Sequence, residues 1–123
     1  MQFKGTNNLP SLDFDEEAGL LILTGRSTSV EKDDFWNPLI EKMDSYLNTP
    51  RDITMVIDFE YFNTTSAKSM LELFKLIVNK TKKNNKTFLI EWFYDDNDMM
   101  EAGEDYSSMI EGVTWKLIER REL

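Results

Sequence analysis

The chain has 123 residues and a mass of 14.5 kDa, with 23 acidic against 14 basic residues and a net charge of −9, a length that suits one domain with its own core. It contains neither cysteine nor histidine, which excludes disulfides, thiolate zinc sites, cysteine nucleophiles and the commonest general base. The acidic balance argues against nucleic-acid phosphates and anionic membranes as partners, and no apolar run approaches the roughly 20 residues of a membrane helix.

Met1-Gln2-Phe3-Lys4-Gly5 shows no basic stretch leading into an apolar one, so the protein is expected to be cytoplasmic. Residues 10–15 alternate through Leu12 and Phe14 as a strand, residues 16–19 read as a turn, and residues 20–24 return as the second strand of a hairpin. A first helix is expected over residues 33–48, with Phe35, Leu39, Ile40, Met43 and Leu47 on one face; Pro38 sits early in it, where a missing N–H is tolerated, the alternative being a helix that starts only there. Thr49-Pro50-Arg51 stops that helix. The next strand, 53–59, points Ile53, Met55, Ile57 and Phe59 to one side.

Helical spacing resumes over residues 66–83 through Met70, Leu71, Phe74, Ile77 and Val78, ending in lysines and a turn at Asn84-Asn85. Residues 87–93 form an apolar strand. A weaker helix over 96–111 carries Met99, Met100, Tyr106 and Met109 and is interrupted near Gly103, and residues 113–118 make a last strand. The order β-β-α-β-α-β-α-β implies a single α/β domain: a mixed sheet with the hairpin at its edge and about three helices packed on it.

Asn63-Thr64-Thr65-Ser66 stands where the central strand hands over to the second helix. One reading is an N-cap, in which a Thr or Ser oxygen accepts from a free helix N–H, worth about 1 kcal/mol. Capping needs only one such residue, and here there are three hydroxyls and an amide. The other reading is a phosphoacceptor, whose phosphate the helix N-terminus would stabilise and whose added charge would reject or recruit a partner.

Other candidates are weaker. The acidic run Asp95-Asp96-Asn97-Asp98 lacks the glycine and the terminal carboxylate of a calcium loop in either register, so it reads as helix capping and solvation, with no metal site. Asp58 and Glu60 share a strand face, but nothing nearby supports acid–base chemistry, and sheet-end solvation is the better reading. Lysines gather at 75–86, whereas residues 87–115 contain no basic residue and eight acids. That distribution fits a solvated face with a dipole-matched helix end, or a surface that recognises a protein partner.

The stretch from Asp58 to Met70, with its Tyr61-Phe62-Asn63-Thr64-Thr65-Ser66 core, together with Glu91-Trp92-Phe93-Tyr94-Asp95, resembles the SiaC-type bacterial regulatory phosphoproteins, relatives of the STAS anti-sigma-factor antagonists. The resemblance extends over nearly the whole chain and implies a STAS-like domain that is not an enzyme and needs no cofactor. It maps the phosphoacceptor onto Thr64. Thr65 stands where many relatives have serine, which leaves Thr65 and Ser66 as secondary acceptors. Further implied are a serine/threonine kinase with a histidine-kinase-like ATPase fold, an opposing PP2C-type phosphatase, and a diguanylate cyclase (GGDEF) effector that the unmodified form binds and activates. Cyclic-di-GMP output, and with it biofilm and aggregation control, would then follow the switch.

In this reading Asn63, Thr65 and Ser66 shape the loop, Lys68 and Glu72 flank the docking surface, and a phosphate repels an acidic partner surface. The alternative is a STAS-like ligand-binding or anti-sigma-type partner-switching module with no cyclase. An enzyme using Asp58 and Glu60 is the least supported.

Overall fold

The structure, a computed structural model, describes residues 1–120. Six strands form one sheet in sequence order: β1 (Gln2–Phe3), β2 (Ser11–Asp15), β3 (Leu20–Ser27), β4 (Ile53–Phe62), β5 (Phe88–Tyr94) and β6 (Thr114–Glu119). The hairpin of β2 and β3 is antiparallel, with β1 antiparallel outside it, and β3 to β6 run parallel. Three helices make the crossovers: α1 (Trp36–Tyr46), α2 (Thr64–Lys83) and α3 (Asn97–Met109). Crossovers of one hand between successive neighbouring strands place every helix on the same face of the sheet.

Burial follows that arrangement. Leu21 and Leu23 of β3, Ile53, Met55, Ile57 and Phe59 of β4, and Phe88, Ile90 and Trp92 of β5 are buried under the helices. The residues between them, such as Ile22, Val56 and Leu89, are only half-buried on the open face. The helices contribute Leu39 and Met43 from α1, and Met70, Leu73, Phe74 and Ile77 from α2. No helix among the described residues is long and apolar enough to cross a membrane.

The architecture matches the expected order of elements, and the differences have local causes. β1 has two residues, too few to show a period. The first helix begins at Trp36, behind a short 3-10 turn over Lys32–Asp34. Pro38 explains this, because its ring would clash with the carbonyl four residues earlier in a longer helix.

β4 extends three residues beyond the expected 59 and contains a bulge: Gly25 pairs with Phe59 and Arg26 with Tyr61, which leaves Glu60 unopposed. That extra residue resets the alternation. Phe62 therefore turns back to the helix side, with its ring centroid 6.3 Å from Phe59 and 6.0 Å from Trp92.

Gly103 does not interrupt α3, which runs unbroken through it. A Cβ there would lie 2.7 Å from Trp92 Cδ1 and from Leu117 Cδ2, so the glycine is what lets the helix lie close to the sheet. Gly103→Ala would gain about 1 kcal/mol of helix propensity in isolation. In this protein it is expected to destabilise by roughly 1–3 kcal/mol through overpacking. A urea midpoint at or above that of the wild type would contradict the close approach.

Candidate functional site

The site is built where the C-terminal end of β4 meets α2. Asn63 is the N-cap: its Oδ1 accepts from Ser66 N at 2.9 Å, its own N–H donates to Ser27 O at 2.9 Å, and its Nδ2 donates to Ser29 O at 3.2 Å. One amide side chain thus closes the helix and ties it to the end of β3. This corrects the expectation that a Thr or Ser oxygen makes the cap.

Ser66 lies beneath the cap and is fully buried. Its hydroxyl donates to Ser27 O at 3.0 Å and lies 2.5 Å from Ser27 Oγ, which also accepts from Trp36 Nε1 at 3.1 Å. A consistent proton order is Trp36 N–H to Ser27 Oγ, Ser27 O–H to Ser66 Oγ, and Ser66 O–H to the Ser27 carbonyl. The hydroxyl is therefore fully engaged and closed to solvent, which removes Ser66 from the accessible acceptors. It also removes Ser66 from any docking surface and leaves it a supporting role in the loop.

With the cap supplied by Asn63 and the buried bonds by Ser66, the hydroxyls of Thr64 and Thr65 are not consumed by the fold. Thr64, the first residue of α2, is exposed, and Thr65 is half-buried. The first N–H groups of a helix have no intrahelical partner, and the positive end of the dipole gathers there. Although the chain is rich in acids, none occupies the first turn of α2, while Lys80, Lys82 and Lys83 occupy its last. The first turn of α2 itself thus carries none of the negative charge that such a terminus favours.

Thr64 stands on the rim of a groove of about 320 Å³ between α2 and α3. The α2 wall presents Thr64, Ala67, Lys68 and Leu71, and the α3 wall presents Ala102, Asp105, Tyr106 and Met109. Tyr106 forms part of the floor: its hydroxyl donates to Ala67 O at 2.7 Å, and its ring meets Phe74 at 5.2 Å and Trp92 at 5.6 Å. Lys68 is exposed beside Thr64, whereas Glu72 is exposed one turn further along and lies outside the groove lining. On the other side of Phe62, Glu60, Asp96 and Asp98 border a smaller depression with half-exposed Tyr61.

Burial pushes the Tyr106 phenol above its ordinary range. The folded pKa is raised, so the contribution to stability is complete below the unfolded value of about 10 and is lost as pH rises through the folded value. Tyr106 is expected to ionise only with unfolding. Before that transition, the phenolate absorbance of the wild type should match that of Tyr106→Phe. Additional pre-transition amplitude in the wild type would disprove this.

The remaining candidates are occupied elsewhere. Asp58 pairs with Arg120 at 2.8 Å and Glu60 with Arg26 at 3.9 Å, so each faces an arginine and the two do not form an acid–base pair. Asp96 caps α3 by accepting from Met99 N at 2.8 Å. No cluster of three potential metal ligands occurs among the described residues. Sequence reasoning missed Ser27, because the register at the end of β3 depends on the bulge, and Trp36, because Pro38 sets where α1 begins. It also missed Ala67 and Ala102, whose small size opens the groove.

Three solved structures share this architecture, each at 20% identity. A chain in the complex of the diguanylate cyclase SiaD with its activator SiaC from Pseudomonas aeruginosa matches with a TM-score of 0.89, covering 98% of this chain and 99% of that one. Apo-SiaC from the same organism matches with a TM-score of 0.87 over 96% and 97% of the two chains, and a further SiaC structure with 0.87 over 98% of each. No curated protein sequence matches. The sequence model of the SiaC family of regulatory phosphoproteins matches residues 3–120. The chain belongs to that family.

Proposed function

We propose that this SiaC-family protein is a non-catalytic, cytoplasmic partner switch in which Thr64 accepts the phosphoryl group and the unmodified form binds and activates a diguanylate cyclase. The observation that carries the choice of residue is the division of labour at the helix start. Asn63 makes the cap and Ser66 is sealed in the Ser27–Trp36 network, so Thr64 is the exposed hydroxyl on the first turn. Thr65 is the secondary acceptor, half-buried one residue on.

A phosphate on Thr64 brings about −1.5 to −2 charges to a helix terminus with no acid of its own. It also places a bulky anion on the rim of the groove, where an uncharged hydroxyl stood. A partner seated there loses a neutral contact and meets a charge. The kinase has a histidine-kinase-like ATPase fold, and a PP2C-type phosphatase reverses its work. A cyclase effector is supported by the SiaD–SiaC complex of Pseudomonas aeruginosa, in which SiaC is the activator. A non-catalytic role is supported by the pairing of Asp58 and Glu60 with arginines.

The test is intact mass after incubation with the kinase and ATP, followed by mapping of the modified residue. One phosphoryl group on Thr64 supports the reading; modification confined to another residue, or none, overturns the assignment.

A further inference from the structure

Ser27, the last residue of β3, gathers hydrogen bonds from α1, α2 and the turn between β4 and α2, although it is 2% exposed. Its carbonyl accepts from Asn63 N–H at 2.9 Å and from the Ser66 hydroxyl at 3.0 Å. Its hydroxyl lies 2.5 Å from Ser66 Oγ and accepts from Trp36 Nε1 at 3.1 Å. Asn63 and Ser66 flank Thr64 and Thr65, so one strand residue fixes both ends of the turn that carries the acceptor. The place of that residue is set by the parallel ladder, in which Ser27 pairs with Phe62.

A helix cap does not require this network. Asn63 Oδ1 already accepts from Ser66 N and closes the first turn, and a buried hydroxyl has a desolvation cost that only full hydrogen bonding offsets. Ser69 supplies the contrast. It lies one turn beyond Ser66 on α2 and is equally buried, yet among the described residues its hydroxyl has no hydrogen-bond partner. Of these two serines, the one beside Thr64 is tied to the sheet.

The Thr64 side chain is exposed and takes no part in the cap, so its position comes through its backbone. In phosphoryl transfer, Thr64 Oγ1 forms a bond to the γ-phosphorus of ATP as the bond to the ADP oxygen breaks. ADP leaves with that electron pair, and the hydroxyl proton passes to a base of the kinase. The attacking oxygen must stand in line and within about 3–3.5 Å of phosphorus. Resting on the reading of Thr64 as the phosphoacceptor, we propose that Ser27 is the positioning residue that selects it. By anchoring Asn63 and Ser66 to the sheet, Ser27 holds the Thr64 hydroxyl outward in one place and keeps Ser66 out of reach. It touches no reacting atom and acts through these two neighbours.

Two consequences separate positioning from ordinary core packing. The kinase meets exposed residues and Ser27 is not one of them, so loss of its hydroxyl lowers kcat and leaves KM in place. The choice of acceptor also changes, because a turn released from the sheet brings Thr65 and Ser66 within reach.

The test uses the purified kinase, ATP and the full chain, well below the melting temperature of each variant. Ser27→Ala should lower kcat by about tenfold or more with KM within about twofold of the wild type, and mapping should find phosphate on Thr65 or Ser66 as well as Thr64. Ser66→Ala cuts the same network from the helix side and should lower kcat similarly; it carries the test alone if Ser27→Ala does not fold. The double variant should lose no more than about the larger of the two single losses. Ser69→Ala, the matched buried control, should keep the wild-type kcat and its selection of Thr64. A wild type that takes no phosphate on Thr64 overturns the acceptor reading and this one with it. A wild type modified at Thr64, with both network variants within twofold of its kcat and modified at Thr64 alone, overturns the role of Ser27 only. So does a rise in KM at unchanged kcat, or an equal loss of kcat in Ser69→Ala.

Discussion

Thr64→Ala is expected to remain folded, to take up no phosphoryl group from the kinase, and to hold the cyclase whether or not kinase and ATP are present. Thr64→Asp should weaken cyclase binding by about tenfold or more, and enzymatic phosphorylation of the wild type should weaken it further, because a phosphate carries about −1.5 to −2 charges and three acceptor oxygens. The stability of these variants should move the other way. Thr64 is exposed and outside the capping network, so Ala costs less than about 0.5 kcal/mol. Asp gains roughly 0.3–1 kcal/mol from the helix dipole. A variant that is equally or more stable and yet binds less cannot be explained by misfolding. Thr65→Ala is the companion control and should be phosphorylated normally. Two results would sink the assignment: equal, wild-type affinity for the cyclase in Thr64→Ala and Thr64→Asp, or full phosphorylation of Thr64→Ala at Thr65.

The order of elements and the place of the candidate site were legible in the sequence, and local geometry separated the capping, buried and exposed residues there. Four polar residues in a row at a strand–helix junction were legible as a cap, a phosphoacceptor or both. Their separation into a capping Asn63, an exposed Thr64 and a sealed Ser66 depended on the bulge at Glu60. A bulge shifts the alternation by one residue without any marker in residue type. Trp36 was hidden for a different reason. The apolar pattern allowed a helix from residue 33 or one starting only at Pro38, whereas α1 starts between them at Trp36, whose indole reaches Ser27. Gly103 misled through propensity, since a mid-helix glycine reads as a break when only the helix is considered. Its reason is tertiary, a close approach to the Trp92 indole. The groove was illegible because its defining residues are two alanines, which signal a gap only once their helices are side by side.

Trp92→Ala is expected to be the most destabilising single substitution around the site. The indole is fully buried, and its Nε1 donates to Met99 O at 2.9 Å. Its ring meets Phe62 at 6.0 Å and Tyr106 at 5.6 Å. Truncation leaves a cavity and costs about 3–5 kcal/mol, a large share of the roughly 5–15 kcal/mol that holds a domain together. The Met99 carbonyl also loses its side-chain donor. Trp92→Phe keeps most of the packing and forfeits that hydrogen bond, for a smaller loss of about 1–2 kcal/mol. Phe62 immediately precedes the Asn63 cap, and Tyr106 pins α3 to Ala67 of α2, so the damage should not spread evenly. Amide exchange in Trp92→Ala should rise most at residues 62–67 and through α3, and least in the hairpin of β2 and β3. Binding of the cyclase should fall even where the protein remains folded, because Tyr106 on the groove floor and Gly103 of α3 both pack on this indole. A loss below about 1.5 kcal/mol, or exchange that rises uniformly across the sheet, would show that Trp92 is ordinary core and that the site is held by other contacts.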